Sequence, residues 1–148
     1  MSGLTHGCIL SERHNPVVGT NLQSVAAVER EYLDATANFS FFLPPGFTFA
    51  PRAPLEDHEP NAIYEPRYGV SLALSQWTTA VEQAILTAGE SARTEYARDM
   101  ARQYLEATRT RFFSEIVLDR DDITGDFLRA VIERGDFSEL RDWLSASA

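Results

Sequence analysis

Residues 70–88 read VSLALSQWTTAVEQAILTA, and this stretch decides the predicted fold. At 100° per residue, its large apolar side chains fall on one face of a helix. Glu82 is the only charged residue in the stretch. Leu72 and Leu86 form a second, narrow apolar stripe on the opposite side, which is typical of a helix that lies centrally in a bundle or is covered by a partner. The main apolar face consists of Val70, Leu74, Trp77, Val81, Ala84, Ile85 and Ala88.

Helical spacing continues on both sides of this stretch and predicts an all-α fold. Gly89 stands where a left-handed C-terminal cap is expected, and Ser91 is placed to cap the helix that follows. Together they predict a long antiparallel helical hairpin over about 69–112. Apolar residues at spacings of three and four predict a further helix over 22–37 and a short helical hairpin over 125–145. The expected architecture is a bundle of four to five helices.

Residues 39–68 interrupt the helical pattern with phenylalanine and proline. Five of the nine Phe residues fall within 39–49, and four prolines follow within 51–68, where they disfavour a helix. Pro45 and Gly46 suit the two central positions of a type II turn. The segment is predicted to be irregular or to form one small hairpin, and the turn type favours the irregular alternative because type II turns splay paired strands.

The chain has 148 residues, which is a typical length for one domain. We expect a single helical domain over 21–148, preceded by an irregular N-terminal arm over 1–20 that lacks helical periodicity. The start of the chain has no long apolar stretch, and residues 70–88 are too polar for a bilayer span. Cys8 is the only cysteine, so no disulfide can form within the chain. These features predict a cytoplasmic protein.

The charge balance is strongly acidic, with 22 acidic residues against 13 basic ones and a net charge of −9. Surfaces that bind nucleic acid or anionic membranes normally carry excess positive charge, so we expect neither kind of partner. A basic protein partner suits the charge better. All 13 basic residues are Arg. We interpret the absence of Lys as a sign of GC-rich coding, and therefore of a high-GC bacterial or phage source.

The sequence contains no nucleophile elbow, phosphate-binding loop or dinucleotide fingerprint. We therefore expect no cofactor, and no catalytic or metal-binding residue is assigned. Two acidic clusters leave metal binding open, although neighbouring side chains that point in different directions favour a solvated loop for the first. The second lacks the Gly and Glu positions of an EF-hand and suits the positive end of the helix that follows. The clusters are Glu56, Asp57 and Glu59 with His58, and Asp119, Asp121 and Asp122.

The function expected from these observations is non-enzymatic: a protein–protein interaction or assembly subunit whose partner is another protein or a second copy of the chain. The Phe-rich segment and the second stripe of the central helix are the expected docking surfaces, because exposed aromatic patches mark interfaces. The residues predicted to bind the partner are Phe39, Phe41, Phe42, Phe47, Phe49, Leu72 and Leu86.

Two alternatives stay open. The first is a small-ligand-binding helical domain with a pocket between the hairpin helices, lined by Trp77, Met100 and Tyr104. The second is a small enzyme whose acid and base groups come from residues such as His58, Asp119, Asp121 and the tyrosines, since no spacing singles out a pair. The absence of a catalytic motif favours the non-enzymatic function.

Overall fold

The structure is a computed structural model that describes residues 22–55, 62–119 and 121–147. Helices hold 66% of these residues, and the remaining regular structure is a sheet of two very short strands, so the predicted all-α class is confirmed. The predicted arm over 1–20 lies outside the described residues. The helices are α1 (Val25–Ala37), α2 (Tyr68–Glu90), α3 (Thr94–Thr108), α4 (Arg111–Ile116), α5 (Ile123–Arg134) and α6 (Ser138–Ser147), and the strands are β1 (Gln23–Ser24) and β2 (Ile63–Tyr64).

The described residues form two compact units. Unit 1 contains residues 22–40 and 48–76, and unit 2 contains the described residues of 41–47 and 77–148. Helix α2 begins in unit 1, and its residues from Trp77 onward belong to unit 2. That residues 21–148 fold as one domain stays a prediction.

Unit 1 starts with a strand where the sequence predicted the first turn of a helix. β1 pairs antiparallel with β2, and Ser24 lies opposite Ile63. Ser24 also caps α1, because its hydroxyl oxygen accepts a hydrogen bond from the Ala27 N–H at 3.2 Å. An N-cap residue has extended backbone, so the helix begins at Val25 and not at the predicted residue 22.

A ring of hydrogen bonds in unit 1 fixes the backbone at Ala50. The Tyr32 hydroxyl donates to the Ala50 carbonyl at 2.7 Å. The Gln76 amide donates to the Tyr32 hydroxyl at 2.8 Å, and its oxygen accepts the Ala50 N–H, also at 2.8 Å. Each polar group of the ring is therefore paired, although Tyr32 is fully buried. Burial also raises the pKa of Tyr32 above its ordinary value.

The Phe- and Pro-rich stretch contains no strand between residues 39 and 55, and further along the predicted segment Ile63–Tyr64 forms β2, which pairs with β1 and not with a second strand of the segment. The predicted type II turn is also present. The Phe47 N–H donates to the Pro44 carbonyl at 3.1 Å, and Gly46 has a φ of +80°. Glycine is suited to this position because the turn needs a positive φ at its third residue.

Unit 2 contains the predicted C-terminal helical hairpin and, from Trp77 onward, the predicted long hairpin. The part of α2 from Trp77 onward pairs with α3, and the rings of Trp77 and Tyr104 meet edge to face with centroids 5.3 Å apart. Helices α5 and α6 form the C-terminal hairpin, where the ring centroids of Phe127 and Trp143 are 6.2 Å apart. Both hairpins lie close to the ranges predicted from the sequence, 69–112 and 125–145.

Helix α4 is an additional element that the sequence did not predict. Helix α3 ends at Thr108, and Thr110 starts a new helix because its hydroxyl oxygen accepts the Phe113 N–H at 3.2 Å. The sequence predicted that the second helix of the hairpin ends near residue 112, whereas α3 ends at Thr108 and the hydroxyl cap of Thr110 starts a separate helix.

The prediction that Gly89 caps α2 in the left-handed conformation is wrong. Gly89 lies inside the helix, and the residue with positive φ is Ala92, at 62°. The Arg93 N–H donates to the Ala88 carbonyl at 2.8 Å, which closes a Schellman-type end. Gly89 is needed for another reason: a Cβ there would lie 2.5 Å from the Phe137 ring. Ser91 does not cap α3, whose N-cap is Arg93 without a side-chain hydrogen bond.

We expect Ala92→Gly to stabilise the protein by about 0.5–1 kcal/mol. An L-residue in the left-handed region is strained by about 1–2 kcal/mol, and the extra freedom of glycine in the unfolded chain cancels part of that gain. Urea unfolding should show a higher midpoint with an unchanged slope. Ser91→Gly is the matched control one residue away, at a position without positive φ, and we expect it to be neutral or destabilising. A lower midpoint for Ala92→Gly would contradict the left-handed end.

Candidate functional site

The five predicted partner-binding phenylalanines are distributed between the two units, and all five are half-buried. Phe39 and Phe49 belong to unit 1, where their rings meet edge to face with centroids 5.0 Å apart. Phe41, Phe42 and Phe47 belong to unit 2. The Phe-rich segment is therefore divided into two groups, one in each unit.

Leu72 and Leu86, the second predicted stripe of α2, are also half-buried. In unit 1, Leu72 packs against a small cluster formed by Val28, Ala62 and Tyr64. Part of this stripe is thus covered by the chain itself. That these leucines bind a partner stays a prediction.

Trp77 anchors the Phe-rich segment of unit 2. Its indole N–H donates to the Phe42 carbonyl at 2.6 Å, and its ring centroid is 5.0 Å from that of Phe41 and 5.9 Å from that of Phe42. Phe41 also contacts α4, with its ring centroid 6.0 Å from that of Phe112. The inner faces of Phe41 and Phe42 therefore serve packing.

Among the described residues, most of the large apolar side chains that remain exposed belong to unit 2. Leu118 is 64% exposed, Leu43 49%, Ile123 43% and Phe112 37%. They lie on two segments, 41–47 and 112–123, which meet where Phe41 contacts Phe112. Among the described residues of unit 1, Leu33 is the corresponding exposed side chain, at 44%. The sequence analysis did not single out any of these residues, since isolated leucines and isoleucines carry no motif.

Four aspartates lie close to Leu118 and Ile123 in the chain. The two carboxylate oxygens of Asp119 accept the N–H groups of Ile123 and Thr124 at 3.0 and 2.9 Å, so Asp119 caps α5 as the helix-dipole interpretation implies. Asp122 and Asp126 both bind Arg129, at 2.6 and 3.0 Å. Asp121 is exposed.

The second acidic cluster, formed by Asp119, Asp121 and Asp122, does not have a metal-binding geometry in the described part of the chain. Across 22–55, 62–119 and 121–147, no group of three His, Cys, Asp or Glu side chains is placed to hold a metal ion. Glu56, Asp57, His58 and Glu59 lie outside the described residues. The enzyme alternative that uses His58 therefore stays a prediction.

A buried carboxylate lies in the core of unit 2. Glu82, only 3% exposed, accepts hydrogen bonds from the Tyr104 hydroxyl of α3 at 2.5 Å and from the Trp143 indole N–H of α6 at 3.1 Å. Burial raises the pKa of Glu82 from 4.5 to about 7, and both hydrogen bonds act in the opposite direction because they favour the charged form. The carboxyl group thus joins three helices and changes charge near neutral pH.

Tyr104 keeps its proton across the ordinary pH range. Burial raises its pKa well above 10, and the negative charges of Glu82 and Asp119 raise the pKa further. A hydrogen bond from the Thr124 side chain acts in the opposite direction. Tyr104 is therefore a permanent donor to Glu82 and not a base.

The predicted ligand-binding residues Trp77, Met100 and Tyr104 are all buried in unit 2. The indole N–H of Trp77 and the hydroxyl of Tyr104 already bind the Phe42 carbonyl and Glu82. The structure brings Trp77 and Tyr104 into ring contact. That a ligand enters between them stays a prediction.

Comparison with known proteins gives no relative: no family model, curated protein or solved structure matches the chain. Within the part of the chain that the structure describes, none of the helices combines the length and the apolar character needed to span a membrane.

Proposed function

We propose that the protein binds a partner protein through the exposed apolar surface of unit 2, and that the partner segment is basic. The observation that carries the proposal is the concentration of exposed apolar side chains on two adjoining segments. They are Leu43, Phe112, Leu118 and Ile123. We call them the apolar surface.

The charge of the chain indicates what kind of partner segment it would bind. Asp119, Asp121, Asp122 and Asp126 lie beside Leu118 and Ile123 in the chain, and the whole chain carries a net charge of −9. An apolar surface on a chain with this net negative charge complements a segment whose apolar residues are flanked by Arg or Lys, because opposite charge speeds encounter and excludes acidic competitors. The partner class is therefore a basic, amphipathic protein segment.

The first test uses a defined probe: a fluorescent amphipathic helix of about four turns, built from Leu and Arg. We expect it to bind, and we expect binding to weaken as salt is raised from about 50 to 200 mM, because exposed charges are screened. A peptide with Glu in place of Arg should not bind. Fluorescence anisotropy measures the dissociation constants of the Arg peptide and of the Glu peptide.

Substitution of two side chains then locates the surface. The double variant Leu118→Ser, Ile123→Ser should weaken binding of the Arg peptide about tenfold or more. Complete burial of a Leu or Ile side chain contributes about 1.5–3 kcal/mol, and the partner can bury only the part of each side chain that is still exposed. Leu33→Ser is the matched control, since Leu33 is 44% exposed and Ile123 is 43% exposed. It should leave binding unchanged.

Three results would contradict the proposal. One is equal binding of the Glu and Arg peptides, and another is an equal loss with Leu33→Ser. The third is a mass twice the 16.6 kDa of the chain in light scattering that falls to 16.6 kDa in the Leu118→Ser, Ile123→Ser variant, since a second copy would then occupy the surface.

A further inference from the structure

Helix α6 is tied to the core of unit 2 through a polar contact with a group that can change charge. The Trp143 indole N–H donates to Glu82 at 3.1 Å, while Leu140, on the same helix, is fully buried. Both hydrogen-bond donors to Glu82, Tyr104 and Trp143, are neutral. The positive charge of the N-terminal amino group also acts on Glu82 and lowers its pKa.

The docked helix therefore acts on the carboxyl group in two opposing ways. The indole N–H favours the carboxylate, whereas exclusion of water disfavours it. Burial by all the surrounding elements together outweighs both hydrogen bonds, because the pKa of Glu82 is raised to about 7, and release of α6 would remove both its share of that burial and the indole N–H. If the pKa of Glu82 is higher when α6 is docked than when it is released, protonation of Glu82 must favour the docked state.

We propose that protonation of Glu82 controls the docking of α6: the carboxylic acid holds the helix against α2 and α3, and the carboxylate promotes its release. Release would bring Leu140 and the ring of Trp143 into water and uncover Phe127, whose ring lies 6.2 Å from that of Trp143. The inference is independent of the partner surface proposed above.

Other charged groups also act on Glu82 or on its hydrogen-bond donors, and comparison with Glu82→Gln separates the titration of the carboxyl group from theirs. On α3, Tyr104 stays protonated, and Asp119, which lies before α5, acts on Tyr104 as a negative charge. On α6, Arg141 forms an exposed ion pair with Glu90 of α2 at 3.5 Å, and Asp142 is exposed. The raised pKa of Glu82 places the change near pH 7.

The two indole N–H groups provide a direct test by nitrogen–proton NMR on the full chain. The Trp143 resonance should titrate between about pH 5.5 and 8.5 with a midpoint near 7, because its acceptor changes charge. The Trp77 resonance is the internal control, since its acceptor is the Phe42 carbonyl, and it should not titrate. In Glu82→Gln, which keeps the shape and removes the charge, the Trp143 titration should be absent.

Hydrogen exchange measures the release itself. After correction for intrinsic rates, protection of the α6 amides should fall about tenfold or more across this pH range, relative to α3. Protection in Glu82→Gln should stay constant. Trp143→Phe keeps a ring against Phe127 and removes one donor to Glu82, so its loss of protection should be centred at a higher pH.

Three outcomes would overturn the proposal. The first is α6 protection that does not change with pH in the unsubstituted chain, a result that needs no variant to fold. The second is a Trp143 titration that persists in Glu82→Gln. The third is an equal loss of protection in α3 and α6, which would show general unfolding in place of helix release.

Discussion

Trp77→Ala should lower the free energy of unfolding by about 3–5 kcal/mol, the usual cost when a buried large aromatic side chain is cut to alanine. Trp77 is fully buried, and its ring contacts Phe41, Phe42 and Tyr104. The substitution also leaves the Phe42 carbonyl without its donor, which adds to the loss of packing. Urea unfolding followed by circular dichroism measures the change.

A graded series separates the ring of Trp77 from its N–H group. Trp77→Phe keeps most of the apolar surface and loses the hydrogen bond, so it should cost about 1–3 kcal/mol. Phe112→Ala is the control for an exposed ring, and we expect it to cost less than about 1 kcal/mol.

A second readout tests whether Trp77 anchors residues 41–47. Chymotrypsin, which cuts after phenylalanine, should cleave at Phe41 or Phe42 faster in Trp77→Ala than in Phe112→Ala, because only the first loses the anchor. A cost for Trp77→Ala no larger than that of Phe112→Ala would contradict the packing of this segment on Trp77.

Helix positions could be predicted because burial in this chain follows helical periodicity. The apolar face predicted for α2 is buried at every position except Ala84, which is half-buried. Helix ends were less predictable, because they depend on single hydrogen bonds. The hydroxyls of Ser24 and Thr110 set the starts of α1 and α4, whereas the same group on Thr36 and Thr108 donates to a helix carbonyl instead.

Gly89 shows why a residue type does not fix its own role. A glycine near a helix end suits both a left-handed cap and a close approach by a neighbour. Here the neighbour is Phe137, which lies 48 positions further along the chain, and Ala92 takes the left-handed position. The choice between the two roles depends on tertiary contacts that the local sequence does not contain.

One feature of the sequence indicates the buried carboxyl group. Glu82 is the single charge in residues 70–88, and a lone charge on an otherwise apolar helix indicates a buried polar partner. Its donors Tyr104 and Trp143 are separated from it by 22 and 61 positions, so no spacing rule could connect them. The apolar surface of unit 2 could not be predicted from the sequence, because the exposed fraction of a side chain depends on the folded structure.

Glu82 should make the stability of the protein fall as pH rises from about 4.5 to 7. Its pKa is about 7 in the folded protein against 4.5 ordinarily, so the folded state holds the proton where the unfolded state has released it. The contribution is complete below pH 4.5, is lost progressively up to pH 7, and stays constant above that. At 1.36 kcal/mol per pH unit, the loss is about 3 kcal/mol.

Comparison with Glu82→Gln isolates this contribution, because every other titrating group is common to both proteins. Asp136, for example, has a pKa lowered by its hydrogen bonds from Ser138, so its stabilising effect is present above its ordinary pKa and is lost at lower pH. Urea unfolding at a series of pH values should show the stability of Glu82→Gln rising relative to the unsubstituted protein by about 3 kcal/mol between pH 4.5 and 7. A difference that is independent of pH would mean that the carboxyl group reaches water in the folded state, and the buried contacts with Tyr104 and Trp143 would then not hold in solution.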